Sequence, residues 1–254
     1  MTGKPTIHVI GTGGTISGAG SSATAAAYES GQVEASELVA EVEGLSQVPS
    51  IETENLFATG SENLGPVQWR ILAQRIEELT KSTDVDGVVV THGTDTLEEA
   101  SFFLDLVCQP SKPVVLTAAM RPATALSADG PANLFQAILA SASPQLKRHG
   151  ILVVMNGTVI PGWQAIKTDS TALESFCAYP GGIIGRISGE RLIVRGESCL
   201  SPLSGRFHDH LNKDGKLPLV GVFFLRGGYE EGILDDWIKK DCRGLVIAGF
   251  GAGT

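Results

Sequence analysis

Hydrophobic residues occur in short continuous runs along the chain, each bounded by glycine or polar turns. Four such runs lie at residues 6–10, 87–91, 114–117 and 150–155. Because these runs do not alternate with polar positions, they predict strands buried on both faces, as in a parallel sheet. Helical spacing and helix-start signals lie between them, at residues 66–80, 96–107 and 131–142. The pattern therefore predicts an α/β fold whose mainly parallel sheet is covered by helices on both faces.

The rest of the chain predicts hairpins and then a second α/β unit. Residues 159–194 are rich in glycine and β-branched residues, which favours hairpins that extend the first domain. The polar segment 198–216 is typical of an interdomain linker. A strand, a helix and a strand are predicted at 219–225, 230–240 and 244–249. We therefore expect an N-terminal domain over 1–197 and a linker over 198–216. Residues 217–254 are expected to be the truncated start of a smaller, Rossmann-like α/β domain, because so short a unit rarely forms a core alone.

Composition and charge exclude several classes of function. The 254 residues include 19 Lys and Arg against 28 Asp and Glu, and the basic residues form no patch with aromatic ones, so we expect no nucleic-acid partner. The hydrophobic runs are far shorter than the ~20 residues of a membrane span. No signal peptide is visible, and the four cysteines form no CxxC pair. We expect a cytoplasmic protein with free thiols and no metal; the alternative is a periplasmic protein whose signal peptide has been removed.

The sequence GTGGTISG, residues 11–18, follows the first predicted strand. It lacks the third glycine of a dinucleotide fingerprint and the lysine of a P-loop, which excludes both kinds of phosphate site. Its glycines allow the backbone to turn sharply close to a small ligand, with Thr15 at the crevice where open α/β sheets bind ligands. The alternative is that Thr15 only caps a turn.

The sequence VVVTHGTDTLEE, residues 88–99, leads from a buried strand through a polar turn into a helix. It brings the hydroxyl of Thr94 and the carboxylate of Asp95 to the same edge of the sheet. Thr96 and Glu99 have the spacing of a capping box. We expect His92 to be a packed residue at the strand end and not a base.

Other polar positions have local explanations. Residues 17–31 are rich in Gly, Ser and Ala and contain one aromatic residue, Tyr28, as a mobile lid would. The turn 61–62 either binds a polar ligand or lies at the surface. Asp129 predicts the start of a helix. By local pattern alone, Lys167 is a solvated surface lysine.

These motifs in combination resemble the bacterial-type L-asparaginases and glutaminase-asparaginases. The resemblance rests on GTGGTISG, VVVTHGTDTLEEAS, LTAAMRPATALSADGPANL and the downstream Lys167, and it covers essentially the whole chain. The two threonine motifs are signatures of that family. The resemblance implies a large N-terminal and a smaller C-terminal α/β domain, a homotetramer built from close dimers, and no metal or organic cofactor.

The resemblance also implies roles for individual residues. Thr15 would be the nucleophile with Tyr28 beside it, and Thr94, Asp95 and Lys167 would form a second group. Residues implied to contact the substrate are Gly14, Ser61, Glu62, Gly93, Thr94 and Asp95. Among these, Ser61 and Glu62 would hold the α-carboxylate and the α-amino group. The C-terminal domain of a neighbouring subunit would complete each site, with an acidic residue that we expect beyond Thr254.

The implied reaction is hydrolysis of L-asparagine to L-aspartate and ammonia through a Thr15 acyl-enzyme, with L-glutamine as a further candidate substrate. We expect Thr94, Lys167 and Asp95 to act as one coupled unit that orients water and relays a proton. Two alternatives stay open. One is a non-catalytic amino-acid-binding fragment, and the other is the amidase subunit of a tRNA amidotransferase, which would need an N-terminal extension.

Overall fold

The computed structural model describes residues 4–24, 27–45, 50–195, 200–211, 216–228 and 232–253. The chain divides into two compact units, Met1–Asn212 and Lys213–Thr254. The division falls inside the segment 198–216 that the sequence predicts as a linker.

The first unit is an α/β structure, as predicted. In chain order its elements are β1 (Thr6–Gly13), β2 (Ala19–Gly20), β3 (Tyr28–Glu29), α1 (Ala35–Ala40), β4 (Ser50–Thr59), α2 (Pro66–Lys81), β5 (Gly87–Thr91), α3 (Leu97–Val107), β6 (Val114–Thr117), α4 (Gly130–Ser141), β7 (Ile151–Met155), β8 (Thr158–Pro161), β9 (Ala165–Lys167), β10 (Phe176–Ala178), β11 (Gly185–Ser188) and β12 (Arg191–Val194). Eight strands form the main sheet in the order β12-β11-β8-β7-β6-β5-β1-β4. The five neighbouring strands β7, β6, β5, β1 and β4 are parallel to one another. The hairpins predicted within 159–194 are present as the antiparallel pairs β9–β10 and β11–β12, and β8 also pairs antiparallel with β7.

The continuous hydrophobic runs are explained by packing on both faces of the sheet. Along β5, Val88 and Val90 belong to the core on one face, and Val89 belongs to the core on the other. Leu104 of α3 contributes to the first core, and Ile138 of α4 to the second. Because neighbouring residues of a strand point to opposite faces, a strand covered on both sides needs hydrophobic residues at every position.

Strand β4 was not predicted from the sequence. It pairs in parallel with β1 at the edge of the sheet, in the register Ile7 to Ile51. As an edge strand it is only half-buried, and polar and charged residues interrupt its hydrophobic ones. Its two charged residues, Glu52 and Glu54, contact the ring of His8 on β1, at 3.4 and 3.2 Å. A search for continuous hydrophobic runs therefore misses it.

Part of the predicted linker packs against the first unit. The backbone N–H groups of Gly205 and Phe207 donate to the carbonyls of Asp105 and Leu106 on α3, at 2.7 and 2.9 Å. Residues 200–211 are thus part of the first unit, while 198–199 and 212–215 lie outside the described residues.

The second unit contains the predicted strand, helix and strand. They are β13 (Val220–Phe224), α5 (Ile233–Lys239) and β14 (Gly244–Ala248), and the two strands pair in parallel. Trp237 of α5 packs over Gly221, where an added Cβ would lie 2.9 Å from the indole ring. The predicted helix start at residue 230 lies outside the described residues.

Candidate active site

The candidate site is built where the carboxyl ends of β4, β1 and β5 lie side by side in the sheet. After β1 the chain turns through Gly13 and Gly14, with φ of 98° and 81°. The Gly14 N–H donates to the carbonyl of Thr59 at 2.8 Å, which ties the end of β1 to the end of β4. A Cβ on Gly14 would overlap the backbone of Gly93 in the loop after β5. Positions 13 and 14 therefore need glycine for the packing of the loops alone. Contact of Gly14 or Gly93 with substrate stays a prediction.

Thr15 lies directly after this turn and contacts Tyr28. The Thr15 side chain is buried in a short 3-10 turn, Thr15–Ser17. Its Oγ1 lies 2.7 Å from the phenol oxygen of Tyr28. Tyr28 is on β3, which pairs with β2 as a small antiparallel hairpin, and it remains 39% exposed. The two hydroxyls predicted to act together are thus in hydrogen-bond contact. Residues 25–26 of the predicted lid lie outside the described residues, so the mobility of the lid stays a prediction.

Lys167 joins the loop after β5 through its ammonium group. The Lys167 Nζ donates to Thr94 Oγ1 at 3.0 Å and lies 2.7 Å from Asp95 Oδ1. The side chain of Lys167 is 18% exposed and that of Asp95 is 64% exposed, so the ion pair lies at the mouth of the site. The expected association of Lys167 with Thr94 and Asp95 is confirmed, and a local interpretation of Lys167 as a free surface lysine is wrong.

Ser61 connects the end of β4 to the loop after β5. Its buried hydroxyl accepts a hydrogen bond from the Asp95 N–H at 3.2 Å, and its carbonyl accepts one from Thr96 Oγ1 at 2.8 Å. Glu62 is exposed beside it and accepts from the Asn63 amide at 3.1 Å. The turn is therefore attached to the site, and its substrate contacts stay a prediction.

The predicted capping box at Thr96 and Glu99 is wrong. Thr96 is the N-cap residue of α3 by position, but its hydroxyl makes no capping bond to the helix. The hydroxyl donates to the Ser61 carbonyl instead, because the turn after β4 lies within reach. The sequence could not indicate a partner that is 35 residues away.

Glu98 is a residue of the site that the sequence did not single out. Its Oε2 accepts the backbone N–H of Lys167 at 2.6 Å. Glu98 lies in the first turn of α3, whereas Thr94 lies in the loop before that helix, so no helical spacing relates the two residues. Its partner, Lys167, is 69 residues away, so local sequence carried no signal for it.

His92 is a packed strand-end residue, as predicted. It is fully buried, with Nδ1 2.8 Å from the Gly93 carbonyl oxygen. Burial disfavours the charged imidazolium and lowers the pKa of His92 to about 4. The ring is therefore neutral at physiological pH and supports the loop that carries Thr94.

Asp129 stands at the start of α4, as predicted, but does not cap it. Its carboxylate makes no capping bond to the helix. Instead its two oxygens accept the N–H groups of Met120 and Arg121, at 3.0 and 2.9 Å. Asp129 therefore holds the turn after β6.

Within the described ranges, no group of three or more His, Cys, Asp or Glu side chains could hold a metal ion. None of the helices in the same parts of the chain is long and apolar enough to cross a membrane.

Comparison with known proteins places the chain in a family. The family model described as "Asparaginase, N-terminal" matches residues 6–199. A Haemophilus influenzae protein named as a probable periplasmic L-asparaginase is 36% identical over 251 residues, covering 98% of this chain and 71% of the relative. The glutaminase-asparaginase of Pseudomonas fluorescens biotype A is 34% identical over 254 residues, covering 98% and 68%.

A solved structure agrees with these matches. It is the crystal structure of a probable cytoplasmic L-asparaginase from Campylobacter jejuni, with a TM-score of 0.91 and 31% identity over 99% of this chain and 77% of that one. The chain thus spans about two thirds to three quarters of the length of these relatives. On the family match, the sequence relatives and the shared fold together, this chain belongs to the asparaginase family.

Proposed function

We propose that the protein hydrolyses the side-chain amide of L-asparagine to L-aspartate and ammonia, and that it also accepts L-glutamine. One observation carries the proposal: at neighbouring strand ends, two threonine hydroxyls each contact a side chain that can exchange a proton. The pairs are Thr15 with Tyr28 and Thr94 with Lys167. Amide hydrolysis needs a nucleophile and a path for its proton. Relatives named L-asparaginase and glutaminase-asparaginase support the choice of substrates.

In the first half-reaction, Thr15 Oγ1 attacks the amide carbon of the substrate. The Tyr28 oxygen accepts the Thr15 proton while the phenol proton passes toward the amide nitrogen. The carbon–nitrogen bond breaks, ammonia leaves and an aspartyl ester remains on Thr15. The short Thr15–Tyr28 contact supports this assignment because a threonine hydroxyl is a weak nucleophile unless a neighbour takes its proton.

In the second half-reaction, water attacks the ester carbon. Thr94, Lys167 and Asp95 orient that water and relay its proton to the Thr15 oxygen, so that the ester bond breaks and L-aspartate is released. The Lys167 ammonium contacts both other members, which favours a unit acting together over a single free base.

Substrate recognition is assigned to the turn that follows β4. We propose that Ser61 holds the α-carboxylate, and that Glu62 and Asp95 hold the α-amino group. The exposed carboxylates of Glu62 and Asp95 are suited to an ammonium group. The hydrogen bond from the Asp95 N–H to Ser61 keeps the two parts of this site in register.

Ammonia release tests the proposed activity directly. The full-length protein is assayed with L-asparagine, L-glutamine and D-asparagine, and Thr94→Val is assayed beside it. We expect release from L-asparagine, weaker release from L-glutamine, and a fall of about 100-fold or more in the variant, the range for loss of a proton-transfer group. Absence of release from both L-amino acids by a folded wild-type protein would contradict the proposal.

We also propose that the protein forms a homotetramer built from close dimers, on the basis of the family resemblance. Tyr28 and Asp95 keep exposed surface at the mouth of the site, which leaves room for groups from another subunit. Light scattering after size-exclusion chromatography of the full-length protein measures this. Four chains per particle are expected, and a stable monomer with full activity would contradict it.

For the compartment we propose the cytoplasm. Cys108, Cys177 and Cys242 are free thiols, as is usual in a reducing compartment. Named relatives include both a periplasmic and a cytoplasmic protein, so the relatives alone do not decide. Fractionation of the source cells should recover the protein with cytoplasmic markers, and recovery with periplasmic markers would contradict the proposal.

A further inference from the structure

We propose that Thr96 is a positioning residue for the reaction: its hydroxyl holds the turn that binds the substrate α-carboxylate against the loop that carries Thr94 and Asp95. The inference rests on the proposed function for the role of Ser61. Its starting point is the side chain predicted to cap α3, whose hydroxyl donates 2.8 Å to the Ser61 carbonyl instead.

The contact joins two segments that the chain does not connect locally. Thr96 and Ser61 are 35 residues apart, in loops that follow β5 and β4. In the sheet these two strands are separated by β1, so no β-ladder bond joins them directly. Each strand pairs with β1, which sets their spacing as far as the strand ends. Beyond the strand ends, the side-chain bonds join the two loops directly.

Three contacts on Ser61 show how closely the loops fit. The Ser61 hydroxyl accepts the Asp95 N–H, and the Ser61 carbonyl accepts the Thr96 hydroxyl. A Cβ on Gly93 would lie 2.5 Å from the Ser61 Oγ, so the backbone of the loop passes directly over the serine. The other two contacts involve the Ser61 hydroxyl, which is also proposed to bind substrate. The Thr96 bond involves only the Ser61 carbonyl.

The Thr96 bond is suited to positioning because it acts on backbone. The Ser61 side chain is proposed to contact substrate, while its carbonyl accepts the Thr96 hydroxyl and, at 3.0 Å, the Leu64 N–H of the same turn. Thr96 is itself anchored at the start of α3, where its carbonyl accepts the Ala100 N–H at 2.9 Å. Helix α3 thus fixes the Thr96 hydroxyl, and the hydroxyl fixes the turn that carries Ser61. This chain of contacts sets the distance between the α-carboxylate site and Thr94.

Thr96→Val and Thr96→Ser separate the hydroxyl from the shape of the side chain. Valine keeps the shape and removes the donor, whereas serine keeps the donor. In the full-length protein we expect Thr96→Val to raise KM for L-asparagine roughly 3- to 10-fold, the effect of losing one hydrogen bond, with kcat changed less than about twofold. Thr96→Ser should stay within about twofold of wild type in both.

Three kinetic results would overturn the proposal. One is wild-type KM and kcat in Thr96→Val. Another is equal impairment of Thr96→Ser and Thr96→Val, which would assign the effect to packing. The third is a fall in kcat with unchanged KM, because the hydroxyl would then act on the chemistry and not on the α-carboxylate site.

Amide hydrogen exchange tests the same contact without turnover. The Asp95 N–H donates to the Ser61 hydroxyl, which protects it from exchange. If the Thr96–Ser61 hydrogen bond restrains local opening, the Asp95 N–H should exchange at least about threefold faster in Thr96→Val. In Thr96→Ser it should exchange at the wild-type rate. Equal exchange in all three proteins would overturn the positioning role. If the wild type released no ammonia but exchange followed the expected order, the proposed function would fail while the loop contact stood.

Discussion

The backbone N–H of Lys167 donates a hydrogen bond of 2.6 Å to the carboxylate of Glu98. Glu98 lies in the first turn of α3, directly after the loop that carries Thr94 and Asp95. One carboxylate therefore fixes the strand end from which the Lys167 ammonium reaches those two residues. The position of Lys167 thus depends on Glu98, which binds the Lys167 backbone and not its ammonium group.

The first prediction follows from this contact. Glu98→Ala should lower kcat for L-asparagine about tenfold, because loss of a charge-assisted hydrogen bond costs about 1.5–3 kcal/mol and frees the start of the Lys167 side chain. Glu98→Gln keeps an accepting oxygen and should be less impaired. Glu99→Gln is the matched control, since Glu99 is the exposed neighbour on the same helix. Equal kinetics of Glu98→Ala and Glu99→Gln would show that the contact has no role.

The second prediction concerns the coupling of Lys167 and Thr94. If both serve one proton relay, Lys167→Met and Thr94→Val should each lower kcat about 100- to 1,000-fold, and the double variant should be little worse than either. The measurement is a double-mutant cycle on kcat with L-asparagine. Effects that multiply in the double variant would mean that the two residues act independently.

The fold could be predicted where burial is uniform. The runs at 87–91 and 114–117 have the same bounds as β5 and β6, because both faces of these strands are covered. Edge strand β4 could not be predicted in the same way, since its two charged residues, Glu52 and Glu54, contact His8 on the neighbouring strand β1.

The candidate site could be predicted only in part from local pattern. The rule that parallel strands end at one edge places Thr15 and Thr94 together. Local composition singled out Tyr28 as a lid residue. Its pairing with Thr15, 13 residues away, and that of Lys167 with Thr94, 73 residues away, followed only from the family resemblance. Thr96 was misassigned because a capping rule considers only the helix that follows.

The third prediction concerns the packing of the loops. Gly14→Ala should destabilise the protein by about 2 kcal/mol or more, because the added Cβ meets the backbone of Gly93 as well as an unfavourable φ. Gly182→Ala is the matched control: Gly182 has a φ of 98°, but no atom lies within 4 Å of its added Cβ. Urea unfolding compares the two variants. A cost no larger for Gly14→Ala would contradict close packing of the two loops.

The fourth prediction is a pH dependence of stability from Asp105 on α3. Burial raises the pKa of this carboxyl from 3.8 to about 6, although a hydrogen bond from Ser204 opposes the shift. Because the folded state binds the proton more tightly than the unfolded state, Asp105 favours folding below about pH 4, and this contribution is lost as pH rises through about 6.

Asp105→Asn tests this directly. The variant should be more stable than wild type at pH 7.5, where the native carboxyl is charged and buried, and the difference should shrink toward pH 4.5. Urea unfolding at both pH values measures it, with Asp209→Asn, an exposed position, as the control. A stability difference that is the same at both pH values would contradict the assignment.

The central claim is that Thr15 carries the acyl group during amide hydrolysis. The most direct measurement is intact-protein and peptide mass spectrometry of the full-length Thr94→Val protein, quenched in acid during turnover of L-asparagine, with Thr94→Val/Thr15→Ala as the control. Removal of Thr94 slows the attack of water, so we predict that a mass increase of one aspartyl group accumulates on the peptide containing Thr15 and is absent from the double variant. An aspartyl group on a different residue, or ammonia release by Thr15→Ala at the wild-type rate, would contradict the account.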